Sequence, residues 1–130
     1  MKPDTSYIEN QYVQVGLRDE IVYTEYKQNL IINMEVARRY IVEERLKISN
    51  GITRPFLADI RNLKSVDNDA RDYLASDEAC QFISAIAIVT GNRIQQLFAN
   101  FYLIFSQPTI PTKLFTNKEK GLQWLRQYKN

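Results

Sequence analysis

Phe82-Ile83-Ser84-Ala85-Ile86-Ala87-Ile88-Val89 is the stretch that decides the fold. It is apolar at nearly every position and has the length of a strand, which suits a strand covered on both faces. Thr90-Gly91-Asn92 then turns the chain into a segment where Ile94, Leu97, Phe98, Phe101 and Ile104 recur at helical spacing. A doubly covered strand feeding a helix is the repeating unit of α/β proteins, in which helices pack on a mainly parallel sheet.

The flanking segments repeat the pattern. Phe56-Leu57-Ala58-Asp59-Ile60, entered through Pro55, is a second continuous apolar run. A short helix is predicted over residues 67–74, with Ala70, Tyr73 and Leu74 on one side, and Ser76 caps a further turn at 77–80. Upstream, Tyr12-Val13-Gln14-Val15-Gly16-Leu17 alternates apolar and polar as a half-buried strand does. Arg18-Asp19-Glu20 separates it from Ile21-Val22-Tyr23-Thr24-Glu25-Tyr26, and the two runs read as an antiparallel hairpin.

Asn33 is placed to cap a helix over 34–48, with Glu35 in its positive first turn and Asn50-Gly51 at its end. Met34, Ala37, Ile41 and Leu46 or Ile48 give that helix an apolar stripe, leaving Arg38, Arg39, Glu43, Glu44 and Arg45 to face outward. Toward the C-terminus, Pro108 and Pro111 bound a loop before a last strand, Lys113-Leu114-Phe115. Thr116-Asn117-Lys118-Glu119 fits a capping box and opens a final helix with Leu122, Trp124, Leu125 and Tyr128 toward the core. The expected order is β-β-α-β-α-β-α-β-α in one domain, residues 1–130. That is an α/β fold with a mixed sheet of about five strands, an antiparallel hairpin leading into parallel crossovers, and about four helices.

Composition removes several function classes. The chain has no histidine, which excludes Ser-His-Asp and Cys-His catalysis, histidine-ligated zinc and the usual neutral-pH proton shuttle. Cys80 is the only cysteine, so no internal disulfide forms, and a reducing, cytoplasmic setting is expected. Residues 1–7 lack the apolar core of a secretion signal, and no apolar stretch is long enough for a membrane span. A net charge of +2, with basic residues scattered, argues against a nucleic-acid partner. No cofactor and no metal site are expected.

The element order resembles the STAS domain of bacterial anti-sigma-factor antagonists, and more closely its SpoIIAA-like relatives of unassigned activity. Phe56-Leu57-Ala58-Asp59-Ile60-Arg61-Asn62-Leu63, Ser65-Val66-Asp67-Asn68-Asp69-Ala70, and Pro111-Thr112-Lys113-Leu114-Phe115-Thr116 with the following Leu-Gln-Trp-Leu helix carry the local likeness. Antagonists have an Asp-Ser-Ser/Thr-Gly turn whose hydroxyl is phosphorylated. The resemblance places that turn on Asp67-Asn68-Asp69-Ala70, with Asp69 at the phosphoacceptor position and Ala70 where glycine stands. A Ser/Thr kinase does not phosphorylate a carboxylate, so the resemblance implies an interaction or regulatory module without that switch.

Three groups are therefore candidates. Asp67, Asn68 and Asp69 form an acidic loop that either binds a partner or serves as helix cap and first turn. Thr90, Gly91, Asn92 and Arg93 follow a buried strand and open a helix, where anions gather, though without a complete phosphate-loop pattern. Phe101, Tyr102 and Phe105 widen the apolar surface of the Phe-rich helix and call for a covering loop, a second subunit or an apolar ligand. Asp59 with Arg61 reads as a strand-end ion pair, and Cys80 as a small buried hydrophobe. The chain is thus expected to be non-enzymatic: a module for a protein partner or a second copy of itself, or a carrier of a small apolar or anionic ligand.

Overall fold

A computed structural model describes residues 7–129, without the side chains of Phe98, Phe101 and Phe105. In chain order the elements are β1 Tyr7–Glu9, β2 Val13–Arg18, β3 Ile21–Tyr26, β4 Leu30–Ile32, α1 Glu43–Ser49, β5 Arg54–Asp59 and β6 Leu63–Val66. They continue with α2 Asn68–Leu74, β7 Ile83–Val89, α3 Arg93–Phe101, β8 Thr112–Phe115 and α4 Lys118–Arg126. A π-helical segment, Val36–Val42, leads into α1, and another, Tyr102–Ser106, extends α3.

Six strands form one mixed sheet, β1-β2-β3-β5-β7-β8. The first three are antiparallel and the last four parallel, as a hairpin leading into crossovers requires. Asp19 and Glu20 close the β2–β3 hairpin with φ of 52° and 67°, the left-handed pair that matches strand twist in a two-residue turn. Lys129 and Arg54 pair with these carboxylates and hold the turn. Every residue of β5 is buried, and β7 nearly so, as their apolar runs predict. Pro55 has no N–H to give to the ladder, and the β5–β7 register shifts between Arg54 and Phe56.

The sheet separates two cores. On one face Val13, Val15, Tyr26, Phe56, Ile86 and Ile88 meet the helical layer of α1, α2 and α3. On the other, Ile21, Leu57, Ala87 and Val89 pack under α4 through Leu125, with the Trp124 and Tyr128 rings in tilted contact beside them. Gly121 lets α4 approach closely, since a Cβ there would lie 3.3 Å from Leu57 and 3.5 Å from Ala87 and Phe115. The cap of α4 is Asn117 rather than Thr116. Asn117 has extended backbone, and its Oδ1 accepts the Lys120 N–H at 3.1 Å, which is the cap geometry.

Two features go beyond the sequence reading. β1 adds a sixth strand at the hairpin edge, and β4 pairs in parallel with β6 as a separate two-stranded ladder. β1 and β4 have three residues each, too few to show alternation of their own. The small ladder sets the start of α2, because the Asp67 N–H donates to Ile32 O across it.

Candidate functional site

Between the sheet and the helical layer lies a cavity of about 290 Å³. Its floor is Tyr26, Phe56, Ala58, Ile86 and Ile88 from the sheet, and Ile32, Leu63 and Val66 of the small ladder form one wall. Both π-helical segments border it, the first through Ile41 and Val42 and the second through Tyr102. Wider helical turns of this kind recur at functional sites, where they shift side chains out of α-helical register. The lining residues that keep solvent exposure are Val66, Asn68, Arg71, Leu74 and Tyr102, so the cavity opens between α2 and the end of α3.

Arg45 is the residue that sequence reasoning misplaced. Expected to face outward, it is only 2% exposed and lines the cavity. The register explains this. Val36 and Ala37 are buried, then Ile41 and Val42 five residues later, and then Arg45 and Ile48. Within that run Arg45 follows Ile41 by four residues and precedes Ile48 by three, the helical spacing that keeps it on the buried stripe. The signal was present in the spacing of Ala37, Ile41, position 45 and Ile48, but a charged residue on a stripe reads as surface.

The Arg45 guanidinium donates to Gln81 O at 3.1 Å and to Ala79 O, and its carbon lies 5.6 Å from the Phe56 ring centre. Burial pulls its pKa down to about 10, so it remains a cation at neutral pH. Cys80, Tyr26, Tyr73 and Tyr102 act on that charge, and no carboxylate is among them. Burial pushes the Tyr26 and Tyr102 phenols up, so both keep their protons and can donate hydrogen bonds. Tyr102 Oη donates to Leu74 O at 3.3 Å. A mainly apolar cavity thus holds a buried cation and two phenols, with Asn68 and Arg71 at its mouth.

The acidic loop divides. Asp67, Asn68 and Asp69 are all exposed at the start of α2. Asp69 Oδ1 accepts its neighbour Ala70's N–H at 2.8 Å, whereas Asp67 makes no side-chain cap bond. Asn68 stands at the cavity mouth.

The Thr90–Arg93 turn lies away from the cavity, and much of its hydrogen-bonding capacity is used within the chain. Thr90 N–H and hydroxyl both donate to Phe115 O, and Gly91 N–H donates to Gln95 Oε1 at 2.6 Å. Asn92 caps α3 by accepting the Gln95 N–H at 2.9 Å. Arg93 is exposed.

The Phe-rich helix is rotated from its expected setting. Gln95, 4% exposed, donates through Nε2 to Arg61 O and Leu63 O, which pins it inward. With Gln95 fixed, Ala99 and Tyr102, four and seven residues on, face the sheet side and line the cavity. Ile94, Leu97 and Ile104, expected to cover the sheet, point outward instead with exposures of 62%, 54% and 61%. The Phe101 and Phe105 side chains, expected in the apolar face, lie outside the described residues.

Asp59 and Arg61 form a bidentate ion pair, Nε to Oδ1 at 2.9 Å and Nη2 to Oδ2 at 2.6 Å, in keeping with a structural pair. Cys80 is buried, and burial raises its thiol pKa, which makes it a poor nucleophile.

Residues 15–129 match a family described as a domain of unknown function, DUF7793. The chain belongs to the DUF7793 family. No curated protein matches it. Among solved structures it is similar to an uncharacterized protein of the DUF3478 family with a SpoIIAA-like fold from Shewanella loihica. That pair has a TM-score of 0.60 at 16% identity, covering 91% of this chain and 98% of the other. At that identity the likeness carries the fold alone, and the fold is SpoIIAA-like. Among the described residues of this DUF7793 member, no helix is long and apolar enough to cross a membrane.

Proposed function

We propose that this DUF7793 protein is a non-enzymatic binding module that holds a small apolar molecule between its sheet and its helical layer. The single observation carrying this reading is the cavity of about 290 Å³, walled mainly by Ile, Leu, Val, Ala and Phe side chains. Small-molecule sites have this character, a largely apolar concavity of roughly 300–1,000 Å³ with a few convergent polar groups, and this cavity stands at the lower limit of that range. Support for the absence of catalysis comes from the chemical inventory: no histidine, a buried thiol, and Asp59 engaged by Arg61.

The test is thermal shift and native mass spectrometry with 1-octanol and related neutral apolar probes. A ligand near a hundred times its Kd stabilises by about 2.7 kcal/mol, which is readily measured. Neither a rise in Tm nor a retained mass across the panel would remove the reading.

A second, compatible reading is self-association through α3. Ile94, Leu97 and Ile104 make an exposed apolar stripe, and residues 94–107 contain no charged side chain. An uncharged stripe meets a copy of itself without like-charge repulsion, which favours a second copy of this chain over a charged partner. Sedimentation should find a dimer that Leu97→Asp converts to monomer. A wild-type monomer at hundreds of micromolar would end this reading.

A further inference from the structure

We infer that the cavity selects an apolar molecule carrying a carboxylate, and that Arg45 is the residue that receives it. The inference rests on the cavity being a ligand site, and it adds the chemical class.

Three observations lead to it. Arg45 is almost wholly buried and borders the cavity directly. Among the described residues it forms no salt bridge, and the groups acting on its charge are a thiol and three phenols. Its two partners, the Ala79 and Gln81 carbonyls, accept hydrogen bonds but leave a full positive charge uncompensated. A buried arginine is ordinarily retained with a carboxylate, because desolvating a lone cation costs several kcal/mol. The Phe56 face offsets only part of that cost.

A guanidinium has five N–H donors in a planar fork, so donors remain after the two carbonyls are served. A carboxylate entering head-first would meet those donors, with the protonated Tyr26 phenol lining the same cavity. Its apolar remainder would lie against Ile32, Leu63, Ile86 and Ile88. A neutral alcohol of the same length fills the same apolar space without compensating the charge.

Octanoate and 1-octanol separate the two contributions. In isothermal titration calorimetry octanoate should bind the wild-type chain at least tenfold more tightly than 1-octanol. Arg45→Met, which keeps an unbranched side chain and removes the charge, should erase that difference. Equal affinities for the two probes in the wild type would overturn the charge assignment and leave the apolar-cavity reading intact. Binding of neither would overturn both.

A measurement on the wild type alone covers the case in which the variant fails to fold. The ¹³C carboxyl resonance of bound octanoate should titrate at lower pH than that of free octanoate, because a nearby cation favours the ionised form. Titration at higher pH is the signature of an apolar cavity without a receiving charge, and it would overturn the assignment.

Discussion

At Gln95 one side-chain amide serves three backbone groups. It accepts the Gly91 N–H and donates to the Arg61 and Leu63 carbonyls, joining the start of α3 to the turn between β5 and β6. Gln95→Leu fills similar space but leaves those groups without their partner. It should lower unfolding free energy by about 1–3 kcal/mol in urea titration, with an unchanged m-value. An effect below roughly 0.5 kcal/mol would mean water replaces the amide. Gln95 and Arg45 share a lesson about reading sequence. Both are polar residues on inward-facing positions, and a hydrophobic pattern assigns such residues to the surface. Burial of each becomes legible only once its carbonyl partners, distant in sequence, are known.

At the scale of the element, caps and close approaches are where local rules can be tested against each other. Thr116 and Asn117 both fit the start of α4, but only Asn117 has extended backbone with its oxygen on the Lys120 N–H. Asn117→Ala should therefore cost about 1 kcal/mol, while Thr116→Ala should stay within about 0.5 kcal/mol of wild type in thermal or chemical unfolding. The reverse ranking would return the cap to Thr116. Gly121 makes the complementary case in the middle of the same helix. Helix propensity favours alanine there by about 1 kcal/mol, yet a Cβ already meets Leu57, Ala87 and Phe115 within 3.5 Å. Gly121→Leu forces more atoms into that contact and should destabilise by about 1–3 kcal/mol. The strands of the parallel core were legible because both their faces are apolar. β1, β4 and β6 were not, since each is short and, unlike the equally short β8 with prolines before it and a helix cap after it, is fixed by pairing rather than by its own pattern.

Across the whole molecule the two sheet faces are packed to different standards. The α4 face packs through Leu125 beside Trp124 and Tyr128, and the concavity next to α4 is lined largely by charged side chains such as Arg18, Glu25, Lys118 and Arg126, whereas the face under α1, α2 and α3 encloses the apolar cavity. The α/β order predicted helices on the sheet but not an unfilled space beneath them, because volume left between packed elements has no sequence pattern. Empty apolar space costs stability, and a chain that keeps it gives up dispersion contacts that larger side chains would supply. Ala99 offers a direct test. It is 3% exposed, lines the cavity, and sits mid-helix where leucine is nearly as good a helix former as alanine. Ala99→Leu should extend into the open volume and raise Tm by roughly 3–6 °C, corresponding to about 1 kcal/mol of added burial. The same variant should lose 1-octanol and octanoate together, because it removes space rather than charge, in contrast to Arg45→Met, which should lose the preference for the acid. A more stable variant that still binds both probes would show that they bind elsewhere. A less stable one would mean the cavity wall is already closed against Ala99, with no ligand-sized space for a side chain to fill.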